Sequence, residues 1–243
     1  WKEDVFPECD QFNGIHEGLV QSWKDIFPKK GEIHFAGALE NNEDTGTLQY
    51  LASTAMEAGF STRVLDMQAL DLQNGRFFDP AGELVNRCFK LYPWEWMVDE
   101  SPDGCLAEME WLEPIWKLVM SNKAILATLY ELFPDSPYVL PCYLSRPRSG
   151  LFCKKPIFSR EGHNVSVVDI RDWAEYVRIA ETEGDYNTGA YVYQEYVEPT
   201  AYSGRYPVIG SWIIGGEAAG IGIRENRMEV TDNLSEFVPH IIG

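Results

Sequence analysis

Apolar positions along the chain switch between two periods, and the switches outline its elements. Ile15, Leu19, Trp23, Ile26 and Phe27 recur three and four apart, a spacing that lines one face of a helix, and Pro28 ends the run. Residues 31–39 read as a buried strand. Beyond the polar stretch 40–46, Leu48, Leu51, Ala52, Ala55 and Met56 mark one side of a second helix, which Gly59 caps. Residues 61–67 return to strand chemistry. Strand, helix and strand with short links predict a parallel, right-handed βαβ unit. Asn74-Gly75 signals a turn, and residues 85–91 form one more strand before the aromatic cluster at 92–96.

The polar run 99–104 reads as a boundary between an open Rossmann-like layer, residues 1–104, and a second module, residues 105–243. The second module opens with two helical segments. One starts near Glu113-Pro114 and carries Ile115, Leu118 and Val119, and the other carries Ile125, Leu129, Leu132 and Phe133. Residues 152–158 and 164–168 are β-rich and flank the polar tip Ser159 to His163, which predicts a hairpin. A helix is expected over 171–180, with Trp173, Tyr176, Val177 and Ala180 as its core face. Strands follow at 190–197, 206–214 and 218–225, the last two joined across Gly215-Gly216-Glu217.

Composition narrows the function classes. The chain has 243 residues, 45% of them apolar, and a formal charge of -18, with a sequence pI near 4.5. Such a field disfavours nucleic acid and anionic membranes as partners and attracts cations such as polyamines. Any phosphate must meet a local basic pocket. Five cysteines, odd in number and without a CxxC pair, suit a reducing cytoplasm better than a disulfide or zinc framework. No apolar run approaches the ~18 residues that span a bilayer. The chain opens on Trp1 rather than Met, which fits processing, cutting or missing N-terminal residues; its oligomeric state is not set by the sequence.

Three segments carry candidate chemistry. Residues 154–165 place lysines on a strand before a short polar loop and a return strand, so that backbone N–H groups and an ammonium can approach phosphates, although a solvated hairpin would read the same way. Across residues 219–224, strand alternation puts Ala219, Ile221 and Ile223 on one face and Gly220, Gly222 and Arg224 on the other. The second face suits either a ligand lying against bare backbone or a glycine-relieved packing contact. Gln194 and Glu195 end an apolar strand where an adenine could meet backbone groups, or where an edge strand meets solvent.

Taken in order, Glu113-Pro114-Ile115-Trp116-Lys117, Asn122-Lys123-Ala124-Ile125-Leu126, Lys155-Pro156-Ile157 with Arg160-Glu161-Gly162, Tyr193-Gln194 and Gly220-Ile221-Gly222-Ile223-Arg224-Glu225 resemble the ATP-grasp region of the glutathionylspermidine synthetase family, above all its stand-alone, amidase-free bacterial members. The likeness runs over nearly the whole chain. It implies a pre-ATP-grasp layer followed by a circularly permuted ATP-grasp module, and an ATP-dependent ligase that joins a carboxylate to an amine through an acyl phosphate.

By the same resemblance, Lys123 and Lys155 hold the nucleotide, Glu161 and Gly162 lie over its phosphates, and Gln194, Glu195, Tyr196 and Val197 form the strand at the adenine. Arg224 acts near the reacting phosphate, residues 229–231 lie beside the nucleotide, and Glu43 and Asp44 recognise the amine. Small-molecule acid and amine substrates, ATP and magnesium are implied; the magnesium ligands of the family match no residue here and are expected upstream. Two other readings stay open: a nucleotide-binding protein without ligase activity, and a purely structural α/β domain.

Overall fold

The computed structural model describes residues 2–172, 175–186, 189–228 and 235–243. In chain order the elements are α1 (Lys2–Val5), α2 (Ile15–Ile26), β1 (Glu32–Gly37), α3 (Asn42–Glu57), β2 (Ser61–Asp66), β3 (Asp71–Gln73), β4 (Arg76–Phe78), β5 (Leu84–Val85), β6 (Arg87–Leu91), α4 (Trp94–Glu100), α5 (Pro102–Cys105), β7 (Glu110–Leu112), α6 (Leu118–Ser121) and α7 (Ala124–Leu132). They continue with β8 (Cys142–Tyr143), β9 (Gly150–Pro156), β10 (Ser166–Ile170), β11 (Tyr176–Glu181), β12 (Tyr191–Glu195), β13 (Tyr206–Ile214), β14 (Glu217–Asn226) and β15 (Glu236–Val238). Two compact units result. One holds Trp1–Leu118 with Ser211–Ile221, and the other holds Val119–Gly210 with Gly222–Gly243.

The first unit is built on a parallel sheet of order β2-β1-β6-β7, with β1 paired to both β2 and β6. Every residue of β1 from Ile33 to Gly37 is buried, as a central parallel strand requires when both faces are covered. On one face Trp23, Phe35 and Phe89 make edge-on and tilted ring contacts, joined by Leu48, Ala52 and Ala55 from α3. The Trp23 indole N–H donates to the Thr54 hydroxyl at 2.9 Å, which gives that buried donor its acceptor. On the other face Val85, Cys88, Trp94, Met97 and Trp111 form a second core.

Here the βαβ expectation is met, with two adjustments. The polar stretch 40–46 is helical from Asn42 onward, because the Asn41 side chain accepts from the Glu43 N–H at 2.9 Å and starts α3 earlier than its apolar stripe does. The strand expected over 85–91 divides into β5 and β6, and the two belong to different sheets. Asn74 and Gly75 have φ values of 51° and 75°, the left-handed pair that turns β3 into β4.

The second unit carries a five-stranded sheet of order β11-β10-β9-β12-β8, whose pairings are antiparallel. Ala127 of α7 packs with Cys142 and Val192. The helix expected over 171–180 does not form: residues 176–181 are the edge strand β11, paired to β10, and Trp173 lies outside the described residues. Spacings of three and four in so short a run do not separate helix from strand. The β-prone Tyr176, Val177 and Ile179 follow the open edge of β10 instead. The helical segment expected from Glu113 is reduced to a 3-10 turn, Ile115–Lys117, and the single turn α6.

Candidate functional site

Alternation along β9 sends Lys155 and Cys153 to one face of the sheet and Lys154 and Phe152 to the other, and β12 follows in register with Val192 opposite Lys155 and Gln194 opposite Cys153. Lys155 and Gln194 therefore share a face. The Lys155 ammonium donates to the Gln194 Oε1 at 2.8 Å, and no carboxylate pairs with it among the described residues. Its charge is held in place by a neutral amide and is not cancelled.

Lys123 sits at the end of the same strand. Its backbone N–H donates to the Ile157 carbonyl at 2.8 Å, and its ammonium reaches the Ser159 carbonyl and, at 2.9 Å, the Ser159 hydroxyl. The hairpin tip that follows is forced into left-handed backbone, with φ of 57° at Glu161, 72° at Gly162 and 55° at Asn164. Thr182 of the neighbouring chain segment fixes the turn, its hydroxyl donating to the Gly162 carbonyl and accepting from the Val165 N–H at 2.9 Å. Ser159 and Thr182 were not singled out by sequence. Ser159 was visible as part of the polar tip, whereas Thr182 meets the loop only through strand pairing and leaves no local signal.

A cavity of about 710 Å³ in this unit is lined by Glu161, Gly162, His163, Thr182, Tyr206 and Arg227, among others. It brings in the loop but neither lysine. Glu161, Glu181, Glu183 and Arg227 are the charged side chains on its walls.

The structure bears on three of these expectations. The N–H groups of Glu195 and Tyr196 already donate to the Pro141 and Leu151 carbonyls at 2.8 and 3.0 Å, so the strand end they occupy offers an adenine carbonyls and the exposed Val197, not those two donors. The bare backbone at Gly220 is filled from within its own unit: a Cβ there would stand 2.9 Å from Ile15 Cγ1, and the neighbouring Ile221 N–H donates to the Phe12 carbonyl at 3.2 Å. Packing is the reason for that glycine. Arg224 pairs across the ladder with Phe237, its guanidinium 5.4 Å from the ring centroid. Glu43 and Asp44 are not on a loop; they occupy the first turn of α3, directly after the carboxyl end of β1. Open parallel sheets take ligands at that end, and acidic side chains there also stabilise the helix terminus. Residues 229–231 lie outside the described residues.

At the opposite, amino end of the parallel strands lies a cavity of about 660 Å³, lined by Lys30, Glu32, His34, Arg87, Glu108 and Glu110 and by none of the residues proposed from sequence. His34 is 1% exposed, and neither ring nitrogen has a hydrogen-bond partner among the described residues. Burial drives its pKa below the ordinary value, against the opposing pull of Glu32 and Asp79. Among the described residues no group of three His, Cys, Asp or Glu side chains is placed to hold a metal ion.

The chain combines a parallel α/β layer with an antiparallel sheet that carries Lys155 near the end of β9, and Lys123 caps α7 beside it. The fold is shared with a Methylobacillus flagellatus protein described as a gamma-glutamylcysteine synthetase, at a TM-score of 0.58 and 9% identity, covering 94% of this chain and 75% of that one. The chain belongs to the glutathionylspermidine synthase preATP-grasp family, whose model matches residues 1–243. It is 35% identical to a Haemophilus influenzae protein described as an acid–amine ligase, over 99% of this chain and 65% of that protein. It is 28% identical to the trypanothione synthetase of Crithidia fasciculata and 26% identical to the bifunctional glutathionylspermidine synthetase/amidase of Escherichia coli. The chain spans 40% and 42% of those two relatives.

Proposed function

We propose that this chain is part of an ATP-dependent ligase that joins a carboxylate to an amine by way of an acyl phosphate, in a reducing cytoplasm. Residues 105–243 serve as a circularly permuted ATP-grasp module and residues 1–104 as the substrate layer. The observation that carries the reading is Lys155 near the end of β9, held by the neutral amide of Gln194 and paired with no carboxylate among the described residues, with Lys123 beside the segment that follows the strand. In a chain of charge -18, a cation tethered by an amide alone, as Lys155 is, is poised for an incoming anion.

ATP, when bound with magnesium, supplies the phosphoryl group that activates the acid. Lys123 and Lys155 clamp the phosphates, the backbone of Glu161 and Gly162 lies over them, and residues 194–197 border the base. Arg224 offsets charge that develops at the reacting phosphate. Glu43 and Asp44 attract the cationic amine, a polyamine or a similar base, and the acid is a peptide carboxylate. No magnesium ligand is assigned to this chain.

Full-length protein with magnesium, ATP and a panel of thiol peptides and polyamines tests the reaction: phosphate release in step with amide formation is expected for at least one pair. If no pair stimulates release, the ligase reading fails. ATP should also raise the melting temperature of the protein, and Lys155→Ala should weaken nucleotide affinity by roughly tenfold or more, the loss of one charge-assisted contact. A wild type that ATP does not stabilise would overturn the nucleotide reading.

A further inference from the structure

The two faces of the β9–β12 sheet each carry a cation, Lys155 on one and Lys154 on the other. On the second face Lys154 and Arg146 line a small cavity of about 70 Å³ together with Val168, Ile170, Tyr176 and Tyr193. The Lys154 ammonium lies 3.9 Å from the centroid of the Tyr191 ring. Arg146 sits 5.0 Å over the Tyr176 ring and spends one N–H on the Asp172 carbonyl at 3.0 Å. Its Nε is buried and has no hydrogen-bond partner among the described residues. Neither cation forms an ion pair among the described residues.

Acids outnumber bases by 38 to 20, and Arg63, Arg76, Arg87, Lys117, Arg171, Arg178 and Arg205 all pair with carboxylates. The acids nearest in register on this face are Glu181, which is engaged by Arg178 and by the Ser166 hydroxyl, and Glu195, which is exposed at the end of β12. Among the described residues no acid lines the cavity. Two cations brought together without an anion repel each other, and a bound anion relieves that repulsion. Burial raises the pKa of Tyr193, so its phenol stays protonated as a donor. A space of this size admits about two or three water-sized groups, the bulk of one oxyanion group and no more.

We propose that Arg146, Lys154 and Tyr193 form a binding site for one small oxyanion, a phosphate or a carboxylate group, on the sheet face opposite Lys155. Val168, Ile170 and the Tyr176 ring form its floor and strengthen the contact by excluding water. The site is separate from the nucleotide-clamping role of Lys155 and stands without it.

Nuclear magnetic resonance of the full-length protein can follow the Arg146 Nε–Hε signal during titration with inorganic phosphate and, separately, with acetate at matched ionic strength. A saturable shift with one anion supports the site and names the source, phosphate or carboxylate. Lys154→Gln should weaken that binding by roughly tenfold, the loss of one charged donor, while Lys155→Gln leaves it unchanged. No saturable shift with either anion overturns the proposal. So does a shift that Lys155→Gln abolishes and Lys154→Gln spares, since the anion would then belong to the nucleotide face. Tyr193→Phe keeps the packing and removes only the hydroxyl, so it tests the third donor without risk to the fold.

Discussion

Single residues of the first unit already set a pH dependence. His34 is buried as a neutral base, so its folded pKa lies below the ordinary value near 6.5 that it regains on unfolding. Below that pH the unfolded chain binds a proton that the folded chain refuses, and stability falls as the solution is acidified. Asp79 does not mask the effect: its carboxyl is held below the usual range by the Glu83 and Ala81 N–H groups, and its contribution is lost only at lower pH. Urea midpoints should therefore drop between pH 7.5 and pH 5.5 in the wild type, and the drop should shrink in His34→Gln; an unchanged slope in the variant would assign the dependence elsewhere. None of this was legible in the sequence, where His34 is one apolar-flanked histidine among four. The lysines were easier to find, because a resemblance placed them. The Gln194 partner of Lys155 needed the register of β9 and β12, which brings the two within reach and which no local pattern encodes.

Elements were legible where one period ran long enough. β1, α3 and β2 follow from a buried strand, a helical stripe and a second strand, and the structure pairs them in parallel. The region 171–180 failed because a short amphipathic run is ambiguous and the deciding fact, an open edge on β10, lies in tertiary structure. Packing between elements also sets limits that spacing does not reveal. At Gly37, the last residue of β1, a Cβ would lie 2.9 Å from Leu48 Cδ1 and 3.1 Å from the Leu91 carbonyl, contacts from α3 and from the end of β6. Gly37→Ala should cost about 1–3 kcal/mol in chemical denaturation, the usual penalty for overpacking a core. The neighbouring sheet end also bears Glu43 and Asp44, so the same variant is expected to weaken amine binding; tight amine binding in a destabilised variant would detach that role from the position of α3.

Over the whole molecule, the charge of -18 acts on both proposed substrates in opposite senses. Raising salt from about 20 mM to about 200 mM screens the field, so affinity for a polyamine should fall and nucleotide binding should not fall with it. Equal losses for both ligands would mean that local pockets, not the overall field, govern recognition. The chain path carries a further consequence. Residues 211–221 belong to the first unit although the second unit's 119–210 precede them, and through them the Gly14 N–H finds the Ala219 carbonyl at 2.7 Å. At a synthesis rate of about 5–20 residues per second, roughly 5–20 s separate the emergence of Leu118 from that of Ile221. During that interval the nascent first unit lacks its closing strand, and the ribosome, not the sheet, decides when this half of the protein is finished.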